Sequence, residues 1–243
     1  YISKPEPFQR LVHPGMMLGS NNEKMSKSKG NVVNPDDMVA EYGSDALRVY
    51  EMFMGPVTDT KPWQTGGIGG TKRFIDKIWR ILVDESLIVD FATPNLEKIY
   101  NQTVKKVTSD YENLCFNTAI SQIMIFVNAV VSEKAISKEY AEGLIKLLNP
   151  LAPCITEEIW QLMGHDNTIA YEPWPTFDEA KCVEDEVEIP VQINGKMKGT
   201  VRAPVDTTQD EVLELAKQNI KQVNEANIKK VIFVKNKILN IIG

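Results

Sequence analysis

The sequence predicts a multidomain, mainly α protein that closes with a small α+β domain. Three observations carry that reading. From about residue 67 to 164 the apolar residues recur at helical spacing. Residues 165–185 hold Pro173-Trp174-Pro175, then the acidic stretches Asp178-Glu179 and Glu184-Asp185-Glu186, and read as a linker region. After it the apolar period changes to two, the period of a strand. At 243 residues with 43% hydrophobic content, the chain has room for more than one core.

The elements follow in order. Residues 1–33 read as loop and short strand, with an apolar run in Val12-His13-Pro14-Gly15-Met16-Met17-Leu18-Gly19. Asn34 is a good N-cap, Pro35 suits the first helical position, and Asp36-Asp37 favour the helix N-terminus. Met38, Val39 and Tyr42 form the apolar side of this helix, and Gly43 stops it. Ser44 is expected to cap a second helix with Leu47, Tyr50 and Phe53 inward. Next comes a long helix with Phe74, Ile75, Ile78, Trp79, Leu82 and Val83 at 3,4 spacing. Another runs over about 95–110, and a further one carries Ile120, Ile123, Met124, Val127, Val130 and Val131. Ser137 caps the next, which Asn149-Pro150 ends. The last follows Pro153 and stops near Gly164. Antiparallel helices with short joints imply an α-helical bundle.

Beyond residue 185 the pattern predicts a ββαββ unit. Val187, Ile189, Val191 and Ile193 alternate with polar residues, and Asn194-Gly195 marks a turn. A strict two-residue turn would pair Ile193 with Lys196 and mix the faces. An odd loop or one bulge pairs Ile193 with Met197 and Ile189 with Val201, and sets Glu188 opposite Arg202. A helix over about 208–219 follows, with Val212, Leu215 and Ile220 inward. A second hairpin over 228–234 and 238–242 closes the chain. A two-residue turn at Asn236-Lys237 would pair Val234 with Leu239 and Ile232 with Ile241. The expected core of this unit is Val187, Ile189, Val191, Leu215, Ile232 and Ile241.

Composition excludes several classes. No run of 18 apolar residues exists, so no membrane-spanning helix is expected. Tyr1-Ile2-Ser3-Lys4-Pro5-Glu6-Pro7 has no apolar core of a signal peptide, and the missing initiator Met suggests an excised fragment. Cys115, Cys154 and Cys182 stand far apart, which argues against a zinc site or a disulfide framework and fits a reducing cytoplasm. No acidic or histidine spacing marks a metal site. Gly66-Gly67-Ile68-Gly69-Gly70 lacks the ending of a phosphate-binding P-loop and reads as a flexible start to a helix. His13 and His165 are too far apart for a nucleophilic triad, and His165 reads as a capping or surface residue. The net charge of −6 disfavours a general nucleic-acid coat but leaves local basic patches open.

One segment has a composition no apolar core requires. Lys24-Met25-Ser26-Lys27-Ser28-Lys29-Gly30 places three lysines and two hydroxyls in six residues and closes with glycine. Such a loop can surround a polyphosphate with cations and hydroxyl donors. A solvated surface loop is the plain alternative. Lys24-Met25-Ser26-Lys27-Ser28 is identical to the second signature of class I aminoacyl-tRNA synthetases. Gly30-Asn31-Val32-Val33-Asn34-Pro35-Asp36-Asp37 is similar to the segment directly after that signature in those enzymes.

Further strings resemble bacterial leucyl-tRNA synthetases. They are Tyr50-Glu51-Met52-Phe53-Met54-Gly55-Pro56, Lys61-Pro62-Trp63, Arg73-Phe74, Trp79-Arg80, Phe116-Asn117-Thr118-Ala119-Ile120-Ser121, Leu151-Ala152-Pro153-Cys154-Ile155-Thr156-Glu157-Glu158-Ile159-Trp160, Tyr171-Glu172-Pro173-Trp174-Pro175 and Val191-Gln192-Ile193-Asn194-Gly195-Lys196. The resemblance covers almost the whole chain. Isoleucyl and valyl enzymes share the loop and the bundle but not the closing small domain. The family often has His where Cys154 stands.

The resemblance implies the C-terminal part of a leucine–tRNA ligase. Residues 1–60 would end the catalytic core, 61–175 would form the tRNA-binding bundle of anticodon-binding type, and 185–243 the small tRNA-binding domain. The first signature, the leucine pocket and the editing domain would lie upstream, so the chain alone is expected to be inactive. The resemblance implies Lys24 and Lys27 as catalytic residues and Lys24, Met25, Ser26, Lys27 and Ser28 as ATP-binding. In adenylation a carboxylate attacks the α-phosphate of ATP and pyrophosphate leaves. Fixed cations stabilise the charge that shifts toward the β- and γ-phosphates. ATP and Mg2+ would act as the substrate complex, and leucine would bind through the missing upstream part. The other partner is tRNA(Leu). Lys72, Arg73, Lys77 and Arg80 fall at helical spacings that make a basic stripe. Lys196, Lys198 and Arg202 cluster on one hairpin, and Lys229, Lys230, Lys235 and Lys237 on the other. Such cations suit shape and phosphate readout. A stand-alone tRNA-binding module with no catalysis of its own would carry the same residues.

Overall fold

The structure, a computed structural model, describes residues 5, 6, 8, 10–182, 186–223 and 228–243. The chain divides into two compact units, Tyr1–Cys182 and Val183–Gly243.

In the first unit a short strand β1 (Met17–Leu18) pairs in parallel with β2 (Lys61–Pro62). Helix α1 (Pro35–Tyr42) starts as its sequence predicts: the Asn34 side chain accepts from the Asp36 N–H at 3.3 Å. Helix α2 (Ser44–Phe53) buries Ala46, Leu47, Val49 and Tyr50. Ser44 does not cap it; Gly43 holds that position, and the Ser44 hydroxyl lies 3.5 Å from Cys154 Sγ. Phe53 sits in the last turn and remains exposed, as does Val39 on α1.

Helix α3 (Thr65–Val83) takes in the glycine run as its first turns. A Cβ at Gly67 would come 2.5 Å from the Tyr50 ring, so glycine lets α2 and α3 approach. Phe74, Ile75, Ile78, Ile81 and Leu82 form the buried stripe of α3. That stripe is centred on Ile78, which leaves Trp79 at its margin and Val83 on the opposite side; both are exposed.

Helices α4 (Pro94–Glu112), α5 (Phe116–Glu133), α6 (Lys138–Leu148) and α7 (Pro153–Leu162) complete the helical set. The short strands β3 (Ile88–Val89) and β4 (Ile136–Ser137) pair in parallel between them. Thr93 and Ser137 cap α4 and α6 by accepting from the N–H groups of Leu96 and Tyr140. The main core joins Val49 and the inner faces of α3 to α7, with Trp160, Phe126, Leu96, Ile120, Leu144 and Leu147 fully buried.

The N-terminus of α7 is capped from a distance. The Asp45 carboxylate accepts from the N–H of Cys154 at 3.3 Å and of Ile155 at 2.7 Å. Arg48, one turn along α2, donates to the carbonyls of Pro150 and Leu151. Two charged residues of α2 thus fix the corner between α6 and α7.

The expected linker does not run free before residue 182. Trp174 donates to Thr108 at 2.8 Å, Asp178 N–H to Asn101 at 2.8 Å, and Lys105 pairs with Glu179 at 2.6 Å, which bind this segment along α4. The part of the expected linker over 183–185 lies outside the described residues.

The second unit is a four-stranded sheet in the order β6-β5-β8-β7, built from β5 (Glu186–Ile193), β6 (Lys196–Pro204), β7 (Lys230–Val234) and β8 (Ile238–Ile242). The central strands β5 and β8 run parallel, and each carries its hairpin partner on the outside. Asn194 and Gly195 both have positive φ, 51° and 76°, so the turn is a tight two-residue one that pairs Ile193 with Lys196. A bulge then restores the phase. Ile189 faces Val201 and Glu188 faces Arg202, as expected, but Gln192, not Ile193, stands opposite Met197.

The second hairpin differs from expectation by one residue. Val234 pairs with Ile238, Phe233 with Leu239 and Val231 with Ile241. A hydrogen bond from Lys237 N–H to the Val234 carbonyl closes a turn with Asn236 at φ 58°, leaving three residues between the strands. The slip exchanges the faces of β7, so Ile232 is 42% exposed while Val231 and Phe233 pack inward. Helix α8 (Gln209–Asn219) covers the inner face of the sheet, burying Val212 and Ala216 against Ile189, Val191, Val201 and Leu239. Thr208 and Glu211 form a reciprocal capping box at its start.

Candidate functional site

The lysine loop lies in the first unit, between β1 and α1. A bridge pairs Leu18 with Lys24, and Gly19 N–H donates to the Glu23 carbonyl at 2.8 Å, so Lys24 ends a small hairpin. Met25 packs onto a separate apolar cluster of Leu47, Tyr50, Trp63 and Ile68. Of the residues expected to bind ATP, Met25 is thus the one held by the core. Lys27–Lys29 form one 3-10 turn, and Gly30 reverses the chain at φ 64°, a conformation open to glycine. Ser26 and Ser28 hydroxyls stand 3.2 Å apart.

The three lysines are not equivalent. Lys29 pairs with Glu23 at 2.8 Å. Lys24 and Lys27 are exposed, and neither has an ion-pair partner among the described residues. They belong to a bridge and a 3-10 turn rather than to one helix. Asn31, which sequence reasoning left without a role, organises the segment: its Oδ1 accepts from Ser26 N–H at 2.9 Å, and its Nδ2 donates to the Lys24 carbonyl at 3.4 Å. The only sign of it in the sequence is its place directly after Gly30. Nearby, burial holds the Lys61 ammonium below its ordinary range, with the Asp59 charge acting in the opposite direction.

The predicted stripe on α3 separates. Arg73, Lys77 and Arg80 share one face at i, i+4 and i+7 spacing. Lys72 projects about 100° away from Arg73, as consecutive helical residues must, and its ammonium pairs with Asp76 at 2.5 Å. Lys77 donates to Asn128 on α5 at 3.1 Å, and Arg80 to the Asp76 carbonyl at 3.2 Å.

On the hairpin of the second unit, Lys196 and Lys198 are exposed and have no ion-pair partner among the described residues. Arg202 is held by Glu188 across the strands, through Nε at 3.0 Å and Nη2 at 2.9 Å. On the other hairpin Lys235 pairs with Asp206 at 3.1 Å. No helix among the described residues is long and apolar enough to cross a membrane.

Chemically, the lysine loop offers two unengaged ammonium groups and two hydroxyls on a braced turn, a set that suits a polyphosphate. The family of tRNA synthetases class I (I, L, M and V) matches residues 1–62, the segment that contains this loop. The anticodon-binding domain of tRNA ligase matches residues 95–214. Among solved structures, the chain is similar to LeuRS (agnB2) of Agrobacterium radiobacter K84, crystallised as a ternary complex with tRNA and LeuAMS. The identity is 30% and the TM-score 0.73, over 98% of this chain and 34% of that one. The chain therefore spans about a third of the length of that LeuRS. Matches on both sides of α3, one on the loop and one on the helices, agree on a single assignment: the chain belongs to the class I aminoacyl-tRNA synthetases.

Proposed function

We propose that this chain is the C-terminal portion of a leucine–tRNA ligase of bacterial type. Residues 1–60 end the catalytic core and carry the ATP-phosphate loop. Residues 61–175 form an antiparallel helical bundle that binds tRNA, and 185–243 a small ββαββ domain that also binds it. The observation that carries the reading is the exposed, unpaired state of Lys24 and Lys27 within the Lys-Met-Ser-Lys-Ser loop, among the described residues. The likeness to a LeuRS over 98% of the chain supports the choice of leucine.

In this reading Lys24, Lys27, Ser26 and Ser28 contact the triphosphate of ATP, which arrives as its Mg2+ complex. As the acyl-adenylate forms, charge builds on the departing pyrophosphate, and the two ammonium groups stabilise it more than they stabilise bound ATP. Met25 anchors the loop through its apolar contact. Arg73, Lys77, Arg80, Lys196 and Lys198 supply phosphate contacts to tRNA, with Lys72 and Arg202 lesser contributors because each already has a carboxylate partner.

The leucine pocket and the first signature lie outside this sequence, so the purified chain is expected to lack leucine-dependent ATP–pyrophosphate exchange. Exchange in a preparation free of host enzyme would overturn the fragment reading.

A further inference from the structure

We infer that Asn31 is a positioning residue of the lysine loop: its side-chain amide latches the exit of the loop to its start and holds Lys24 and Lys27 in place. The inference rests on the phosphate-loop reading above and adds to it a residue outside the set read as contacting ATP.

Three observations lead to it. First, Asn31 uses both ends of its amide on loop backbone. It accepts from Ser26 N–H at 2.9 Å and donates to the Lys24 carbonyl at 3.4 Å, so it touches the two residues that bracket Met25. Second, the packing around it is close. A Cβ at Gly19 would lie 2.8 Å from Asn31 Nδ2 and 3.0 Å from Asn21 Oδ1, so only glycine leaves room for this amide. Third, the ion pair that the loop holds, Lys29 with Glu23, also joins its two ends, but it does so by removing a lysine from the set. A loop closed by a neutral amide is ordered without lowering its positive charge. Fixing it beforehand also reduces the entropy lost when a polyphosphate binds.

Tryptic cleavage of the chain after Lys24, Lys27 and Lys29 reads loop opening without any catalytic assay. Asn31→Ala should raise the cleavage rate about 3- to 10-fold, the worth of one net hydrogen bond. Asn31→Asp keeps the acceptor for Ser26 N–H but loses the donor to the Lys24 carbonyl and sets a carboxylate against it, so it should also be cleaved faster than the parent. Gly19→Ala acts by pushing the Asn31 side chain away, so it should open the loop in the parent but add little to Asn31→Ala. Unchanged cleavage in Asn31→Ala, or full additivity of the two substitutions, would overturn the latch. In the intact ligase Asn31→Ala should raise KM for ATP more than it lowers kcat, whereas Lys27→Ala should lower kcat. If Lys27→Ala leaves adenylation untouched, the phosphate-loop reading fails even where the cleavage result stands. If Lys27→Ala acts and Asn31→Ala changes neither cleavage nor KM, the latch alone is wrong.

Discussion

The lysine loop of the first unit and the basic hairpin of the second are both short, exposed and rich in cations, and each leaves two lysines unpaired among the described residues beside a third cation held by a carboxylate, but different devices make that choice. In the loop, backbone reversal at Gly30 and the neutral amide of Asn31 set the shape, and Lys24 and Lys27 stay unpaired among the described residues. In the hairpin, strand register puts Glu188 opposite Arg202 and leaves Lys196 and Lys198 unpaired among the described residues; on the other hairpin of that unit Lys235 meets Asp206. The helix α3 repeats the second pattern with Lys72 and Asp76. The difference teaches that a basic residue's availability depends on what the fold places beside it, not on the local density of positive charge.

Substitutions can test this contrast, beginning with the largest expected effect. In the intact ligase, Lys27→Ala should slow single-turnover adenylation by about 10²–10³-fold, the range for losing one donor to a developing charge. Lys72→Ala, which removes a paired lysine, should leave that rate near the parent's. Equal losses in the two variants would break the comparison.

For tRNA binding, the hairpin lysines should outweigh the arginine. Replacing Lys196 and Lys198 by Ala should weaken binding. It should also reduce the slope of log K against log salt by up to about 0.9 for each phosphate that is no longer neutralised. Arg202→Ala should move the slope less, because Glu188 already engages its guanidinium. Binding curves across a salt series provide the measurement, and a larger change for Arg202→Ala would reverse the ranking.

The smallest effect concerns pH. Hydrogen bonds from Lys235 and Asn236, together with the Lys235 charge, hold the Asp206 carboxyl below its usual range. A carboxylate lowered in the folded state stabilises that state above its unfolded value of about 4, and the contribution is lost as pH falls through the folded value. Acid titration of the folded chain followed by NMR should therefore show Asp206 protonating below an ordinary aspartate. In Lys235→Ala, Asp206 should titrate closer to the ordinary value. An unchanged titration would show that the pair is only incidental.

Much of the fold was legible where the signals are local. Asn34 and Ser137 were readable as helix starts because an N-cap acts within three residues of itself, whereas Ser44, read the same way, does not cap its helix. The change of period after residue 185 announced the sheet, and the bulge on the first hairpin was foreseeable because apolar faces must match across strands. The lysine loop stood out in the sequence because no apolar core requires its composition. Its bracing was not, because Gly19, Asn21 and Asn31 meet only after the chain reverses at Gly30.

What the sequence alone determined is the order of the main helices and strands, most of the local helix caps, the lysine-loop motif and the resemblance to class I synthetases, all of which rest on neighbours along the chain. Tertiary structure decided which cations remain free, which face of β7 turns inward, and that Asp45 rather than a local residue caps α7. The reason is common to all three. Each depends on a partner brought close by packing: Phe233 or Ile232 is buried according to a one-residue register, and a lysine is available only where no carboxylate has been folded against it.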